Sequence, residues 1–216
     1  ETFTLTINPV NDEPVLSLVA NVSFDEDNSG SLSLSSSDVD SGDSATYSIT
    51  GGSNISASLS GSDVTFGAPA NFNGSESFTV SVTDSGDLSD SQSFSVTVNA
   101  VNDAPVAASA LGETSEDQSV VITLDASDID GDNLSFSLDS DGSNGSVSID
   151  GSLATYIPNE NYNGSDSFSF SASDGEFSSS ANVTISISAV NDAPILADVS
   201  NVSFDEDNSG SLSLSS

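Results

Sequence analysis

Apolar residues alternate with small polar ones along most of this chain, in short runs and at a period of two. Phe78, Val80 and Val82 are separated by Thr79 and Ser81, and Phe94, Val96 and Val98 by Ser95 and Thr97. Successive side chains of a strand point to opposite faces, so this spacing gives each run one apolar and one polar face. The same pattern predicts strands over 31–35, 46–49, 55–59, 64–66, 78–82 and 94–98, with a further strand-forming segment near 15–24. It returns over 120–124, 134–138, 146–149, 154–157, 168–170 and 183–187. Gly, Asn, Asp and Ser punctuate the runs, and no 3.6-residue period competes with them. About seven short strands in roughly 90 residues is the spacing of a Greek-key sandwich, so the chain is predicted to be all-β. The apolar set is Val, Ile, Leu and Phe, with no Trp or Met. A core of that kind is thin enough for external stabilisation to matter.

The strands come in repeated sets. Asn-Asp-x-Pro occurs as Asn11-Asp12-Glu13-Pro14, Asn102-Asp103-Ala104-Pro105 and Asn191-Asp192-Ala193-Pro194, at intervals of 91 (11 to 102) and 89 (102 to 191). Such a period marks a tandem array of domain-sized units. The expected boundaries are 1–10 for the last strand of a preceding repeat, 11–101 and 102–190 for two complete repeats, and 191–216 for the start of a third. At an offset of 90, Glu26 and Asp27 fall on Glu116 and Asp117, Asp38 and Asp40 on Asp128 and Asp130, Glu76 on Asp166, and Asp84 on Asp174. Residues 201–216 repeat 21–36 without a change, which points to duplication of a domain pair. The chain begins without Met inside one alternation (Phe3, Leu5, Ile7) and stops inside another (Leu212, Leu214), so it reads as part of something longer. No run approaches the ~18 apolar residues of a membrane span, and no signal-peptide pattern is present; direct membrane insertion of this segment is not expected.

Charge narrows the possible partners. The sequence has 34 Asp and Glu, no Lys, Arg or His, and a formal charge of −34. No side chain here can form a salt bridge, so only counterions can neutralise the carboxylates. Two of them about 4 Å apart repel by roughly 4 kcal/mol at an effective dielectric near 20, so an acidic cluster calls for a multivalent cation. Nucleic acid and anionic lipid are excluded electrostatically. With no Cys there is no disulfide, and with no Lys there is no Lys-Asn isopeptide staple. Solubility accounts for acids scattered singly on strands, but not for acids that recur at fixed positions.

Several local motifs carry weaker signals. Asn73-Gly74 and Asn163-Gly164 stand just before alternating strands, as sharp turns do. The acid two residues later, Glu76 or Asp166, is expected at a strand's start, facing one end of the sandwich. Asp128-x-Asp130-x-Asp132 imitates the opening of an EF-hand, but Gly131 comes too early and position twelve is Asp139 rather than Glu. Asp40-Ser41-Gly42 and Asp84-Ser85-Gly86 imitate an aspartic-protease motif that the second repeat does not keep. With no His, Cys, Lys or Arg for catalysis, no enzyme is expected.

A Glu in the first strand, Asp-x-Asp after the second, acids before and at the end of the sixth, and Asn-Asp-x-Pro after the seventh together resemble the cadherin repeat. More closely, the units resemble the cadherin-like tandem repeats of giant bacterial surface adhesins of the RTX type. That resemblance implies Ca2+ at the joints between repeats. Around the complete joint it implies Glu26 and Glu76 from the upstream repeat, Asn102 and Asp103 from the linker, and Asp128, Asp130 and Asp174 from the downstream repeat. The earlier joint would keep Asn11, Asp12, Asp38, Asp40 and Asp84, and the later one Glu116, Asp166, Asn191 and Asp192. All are oxygen donors, as calcium's six to eight ligands require. The sixth-strand acid departs from the family's Leu-Asp-Arg-Glu context, and Asp25 and Asp27 flank Glu26 as substitutes. The implied function is a calcium-rigidified extender of an extracellular bacterial adhesin. Its partners would be calcium and neighbouring repeats, with other domains reaching the surface or cell ligand. The alternative is a module that itself contacts carbohydrate or identical arrays, for which Tyr47, Tyr156 and Tyr162 are the candidate platforms.

Overall fold

The structure, a computed structural model, describes residues 2–214 apart from 9, 41, 196, 197, 199 and 200. Ser41 of the Asp-Ser-Gly motif, and Ser215 and Ser216 at the end of the duplicated segment, lie outside the described residues. The chain divides into two units, Glu1–Asn102 and Asp103–Ser216. Each is built from strands, with no helix among the described residues.

In unit 1 the strands are β1 (Val15–Leu16), β2 (Val22–Asp25), β3 (Ser29–Ser33), β4 (Ser36–Ser37), β5 (Thr46–Gly51), β6 (Ser56–Ser60), β7 (Asp63–Gly67), β8 (Gly74–Thr83) and β9 (Ser89–Asn99). A four-stranded sheet runs β2-β9-β8-β5, a three-stranded sheet runs β3-β7-β6, and β1 pairs with β4. Unit 2 repeats the plan with β10 (Val106–Ala108), β11 (Ala110–Ser115), β12 (Val120–Thr123), β13 (Asp125–Ser127), β14 (Ser135–Ser140), β15 (Gly145–Asp150), β16 (Leu153–Pro158), β17 (Gly164–Ser173) and β18 (Ser178–Ser188). Its sheets are β11-β18-β17-β14 and β12-β16-β15, with β10 beside β13. The tandem β-sandwich expected from the alternation is the observed fold.

The inward faces of the two sheets form each core. In unit 1, Phe66 packs edge-on against Phe78 and Phe94, with ring centroids 5.3 and 6.0 Å apart. Val64, Val80, Val82, Val96 and Val98 fill the space around them. Phe78 sits opposite Phe94 in the β8–β9 register, while Ser77 faces Ser95 on the outward side. In unit 2, Tyr156, Phe168, Phe170, Val183 and Ile185 are all 1 % exposed or less. At the end of β5 the backbone of Gly51 passes so close to β8 that a Cβ there would lie 2.4 Å from the Ser77 carbonyl, and its φ of +118° also demands glycine.

One feature goes beyond the alternation. β2 runs parallel to β9, and β11 parallel to β18, while the other strand pairs of both units are antiparallel. The first edge strand thus joins the last strand of its own unit, and the turn after it falls beside the end of β9. Among the described residues of 2–10 and 189–214 no strand forms, although the alternation predicts strands there. Phe3, Leu5 and Ile7 are 92, 77 and 82 % exposed. A strand needs a neighbour to take up its N–H and C=O groups, and among the described residues no segment pairs with either of these.

Candidate metal centres

The long central strand β8 carries an acid at each end, Glu76 near its start and Asp84 just past its last residue, and β17 does the same with Asp166 and Asp174. The opposite ends of one strand do different work.

At the Asp84 end of unit 1, Asp84 is only 7 % exposed. Its Oδ1 accepts the N–H groups of Gly86 and Leu88 at 2.8 and 2.9 Å, and its Oδ2 accepts the Asn11 amide at 2.8 Å. Burial pushes this carboxyl up, but the bonds from Asn11, Leu88 and Gly86 together outweigh it and hold the group below its ordinary range. Asp38 Oδ1 accepts from the Asp40 N–H at 2.8 Å, and Asp40 Oδ2 accepts from the Asp12 N–H at 2.7 Å. Asp38 Oδ2 is buried and has no hydrogen-bond partner. Carboxylate oxygens of Asp38, Asp43 and Asp84 lie within 4.8 Å of one another and line a cavity of about 100 Å³ with Pro14, Ser36 and Ser44.

Unit 2 builds its counterpart from a different third acid. Asp128 Oδ1 accepts from the N–H groups of Asp130 and Asp132 at 2.9 and 3.5 Å, and Asp130 Oδ2 from the Asp103 N–H at 2.8 Å. Asp128 Oδ2 is again buried without a partner. Here Asp128, Asp130 and Asp132 are the three acids within 4.8 Å. Asp174 Oδ1 accepts from the N–H groups of Glu176 and Phe177 at 2.6 and 2.7 Å. Asp43 and Asp132 are missed by the repeat comparison for one reason: the offset of 90 sets Asn133 against Asp43 and Gly42 against Asp132. The third acid moved within its loop, so a fixed register discards both.

At the other end of each unit stands one buried glutamate, Glu26 at 3 % exposure in unit 1 and Glu116 at 4 % in unit 2. Each follows the strand that pairs in parallel with the last strand. Their N–H groups bond to the carbonyls of Asn99 and Ser188 at 2.9 Å. Glu26 Oε1 accepts from the Val101 N–H at 2.6 Å, while its Oε2 is buried with no hydrogen-bond partner. Glu116 Oε1 accepts from the Val190 N–H, and its Oε2 accepts from the Asn163 amide at 3.1 Å. The flanking acids are otherwise engaged: Asp25 takes the Asn99 amide at 3.0 Å, and Asp27, at φ +61°, takes the Asn71 N–H at 3.1 Å. Asn102 closes unit 1 beside Val101. Asn191 and Asp192 are exposed, and the Asn191 amide donates to the Asp192 carbonyl at 3.2 Å.

Glu76 and Asp166 are placed differently from the other candidates. Glu76 accepts the N–H groups of Ser53, Asn54 and Ile55 at 2.7 to 3.3 Å and the Asn54 amide at 3.1 Å. The backbone bonds from Asn54, Ser53 and Ile55 draw its pKa down to about 2, against the smaller effect of desolvation. Asp166 takes the N–H groups of Ser143, Asn144 and Ser167 and the Tyr156 hydroxyl, the last at 2.7 Å. Burial works to raise Asp166, and these donors, Tyr156 foremost, bring it below its ordinary value. Both carboxylates therefore clamp the loop before β6 or β15, and neither belongs to a three-acid group. Tyr156 is wholly buried, which removes it as a carbohydrate platform. Tyr47 and Tyr162 are half-buried, with their hydroxyls on Ser36 Oγ and the Ser165 carbonyl.

A family profile described as Bacterial Ig domain matches residues 11–97 and again 102–186. No curated protein sequence matches the chain. Among solved structures, the extracellular cadherin domains 1–4 of protocadherin gamma B7 share 17 % identity at a TM-score of 0.52, over 90 % of this chain and 55 % of that one. Domains 3–6 of protocadherin gamma B2 share 20 % at 0.47, over 85 % and 55 %. An endo-fucoidan hydrolase of glycoside hydrolase family 107 shares 23 % at 0.37, over 86 % of this chain and only 30 % of that enzyme. The first of these likenesses shows the cadherin-like fold. The two lower scores carry no argument, and this chain spans about half of each protocadherin structure or less than a third of the hydrolase.

Proposed function

This chain belongs to the bacterial Ig domain family, and on that premise we propose that it forms calcium-binding, calcium-rigidified extender repeats of a large bacterial cell-surface adhesin of the RTX type. The observation that carries this reading is the unmet demand at Glu26. A carboxylate oxygen is buried there with no donor, in a protein without a single cationic side chain. Leaving a buried charged acceptor unsatisfied costs more than the ~1–3 kcal/mol of a neutral group, so a bound cation is the physical remedy. Asp38 Oδ2 and Asp128 Oδ2 repeat the pattern beside further acids, at the other end of the fold.

Calcium fits this donor set. It takes six to eight oxygens from carboxylates and carbonyls, whereas zinc and copper favour the nitrogen and sulfur ligands that are absent here. The ligands proposed are Glu26, Asn102 and Asp103 around the linker, with Asp128, Asp130, Asp132 and Asp174 in unit 2. Asn11, Asp12, Asp38, Asp40, Asp43 and Asp84 would serve the preceding linker, and Glu116, Asn191 and Asp192 the following one. Extracellular calcium modules bind at roughly 0.1–1 mM, so these centres would fill outside the cell and empty in a cytosol. The role is structural: ions at the linkers would hold consecutive repeats and resist proteolysis, while other domains engage the surface. Small-angle scattering of this chain tests the reading. Its maximum dimension and rigidity should rise in calcium and fall in chelator, and identical profiles in both would sink it.

A further inference from the structure

Glu26 and Glu116 occupy equivalent places, yet their free oxygens are treated differently. Glu116 Oε2 accepts a hydrogen bond from Asn163 Nδ2 at 3.1 Å, whereas Glu26 Oε2 has no hydrogen-bond partner, so the equivalent Asn73 does not donate to it. Both units carry Glu, Asn and Gly at the matching positions, while the residue before the Asn is Phe72 in one and Tyr162 in the other. Each Asn stands on the turn that opens the long central strand, where the next residue, Gly74 or Gly164, has φ of +152° or +135°. That glycine takes a conformation other residues avoid, and the Asn before it donates to the glutamate in unit 2 and not in unit 1.

We propose that Asn163 is an internal placeholder for the cation at Glu116: its turn amide satisfies the buried glutamate when no ion is bound and gives up that bond when an ion enters. This rests on the calcium reading above, and it adds the residue that tunes the Glu116 centre. The chemistry is a competition for one oxygen. An amide N–H and a cation both seek the lone pairs of Oε2, so the amide bond is an interaction that ion binding must share or displace. The two units therefore differ at this one oxygen. Unit 2 has its amide in place, and unit 1 has its glutamate bare. The placeholder also prevents the apo protein from burying a charged acceptor with no partner, as happens at Glu26. The consequence is unequal centres. The glutamate of unit 2 gives up an existing bond on binding calcium, that of unit 1 gives up none, and the first is the weaker site.

The test uses the full chain, with calcium chloride as the probe and two readouts, melting in chelator and calorimetric titration. Asn163→Ala should lower the melting temperature in chelator by several degrees and tighten calcium binding at the Glu116 centre by about tenfold, a gain that disappears in the Glu116→Gln Asn163→Ala double variant. Asn73→Ala should change neither readout. Asn163→Leu, close in volume and uncharged but without the donor, repeats the loss in chelator and guards against a packing artefact of alanine. The proposal is overturned if Asn163→Ala melts as the parent does in chelator. It is equally overturned if the folded variant binds calcium no more tightly than the parent, or if Asn73→Ala matches its effects. Absence of any calcium binding by the parent would instead refute the functional reading, while the chelator melts would still decide whether the amide supports Glu116.

Discussion

Glu26→Gln should change sign with calcium. The substitution keeps the Oε1 position that accepts from the Val101 N–H at 2.6 Å and removes the charge whose second oxygen is buried without a donor. In chelator the parent buries that charge uncompensated at 3 % exposure, so the variant should be as stable as the parent or more so. In calcium the order reverses, because ligand binding to the folded state alone adds RT ln(1 + [L]/Kd). At 10 mM calcium and a Kd of about 0.3 mM, typical of extracellular modules, that term is about 2 kcal/mol. For a unit of roughly 100 residues, each kcal/mol moves Tm by about 4–8 °C, so the parent's unit 1 transition should rise by about 8–16 °C and the variant's by far less. Scanning calorimetry in both conditions reads both signs from one pair of proteins. A variant that loses as much Tm in chelator as in calcium refutes the reasoning, since Glu26 would then serve the fold rather than an ion.

Three further outcomes follow from the loop clamps and the core. Glu76 has its folded pKa depressed to about 2, so its contribution is fully present above the unfolded value near 4.5 and is lost as pH falls from there toward 2; Glu76→Gln should flatten that acid limb in thermal melts run from pH 2 to 6. Tyr156→Phe removes the hydroxyl that donates to Asp166 while keeping the ring, and should cost unit 2 about 1–2 kcal/mol in urea unfolding with no change in the unit 1 transition. Phe66→Ala empties a fully buried site between Phe78 and Phe94 and should cost unit 1 about 3–5 kcal/mol, seen as an early first transition in the same urea titration.

Fold class, internal repetition and the all-oxygen character of the side-chain donors are legible in the residue pattern alone. Alternation at a period of two is a local property, because each residue's face follows from its neighbours, and it placed Phe78–Val82 and Phe94–Val98 inside their sandwich. The recurrence of Glu26 with Glu116 and Asp38 with Asp128 marked positions that the fold buries or leaves with an unpartnered buried oxygen. Tertiary structure decided what each carboxylate faces. Glu76 and Asp166 align with the other acids in the repeat register, yet the fold brings the loops at 53–55 and 143–144 onto them, and backbone N–H groups take up their oxygens. Asp43 and Asp132 share no register position, yet each completes a three-acid group because a loop returns it to the same end of its unit. The parallel pairing of β2 with β9, which sets Glu26 beside Val101, joins residues more than 70 positions apart. No local pattern encodes such a contact: it exists only once the two sheets have closed over their shared core, and that closure decides which acids are clamped by backbone N–H groups and which keep an oxygen without a donor.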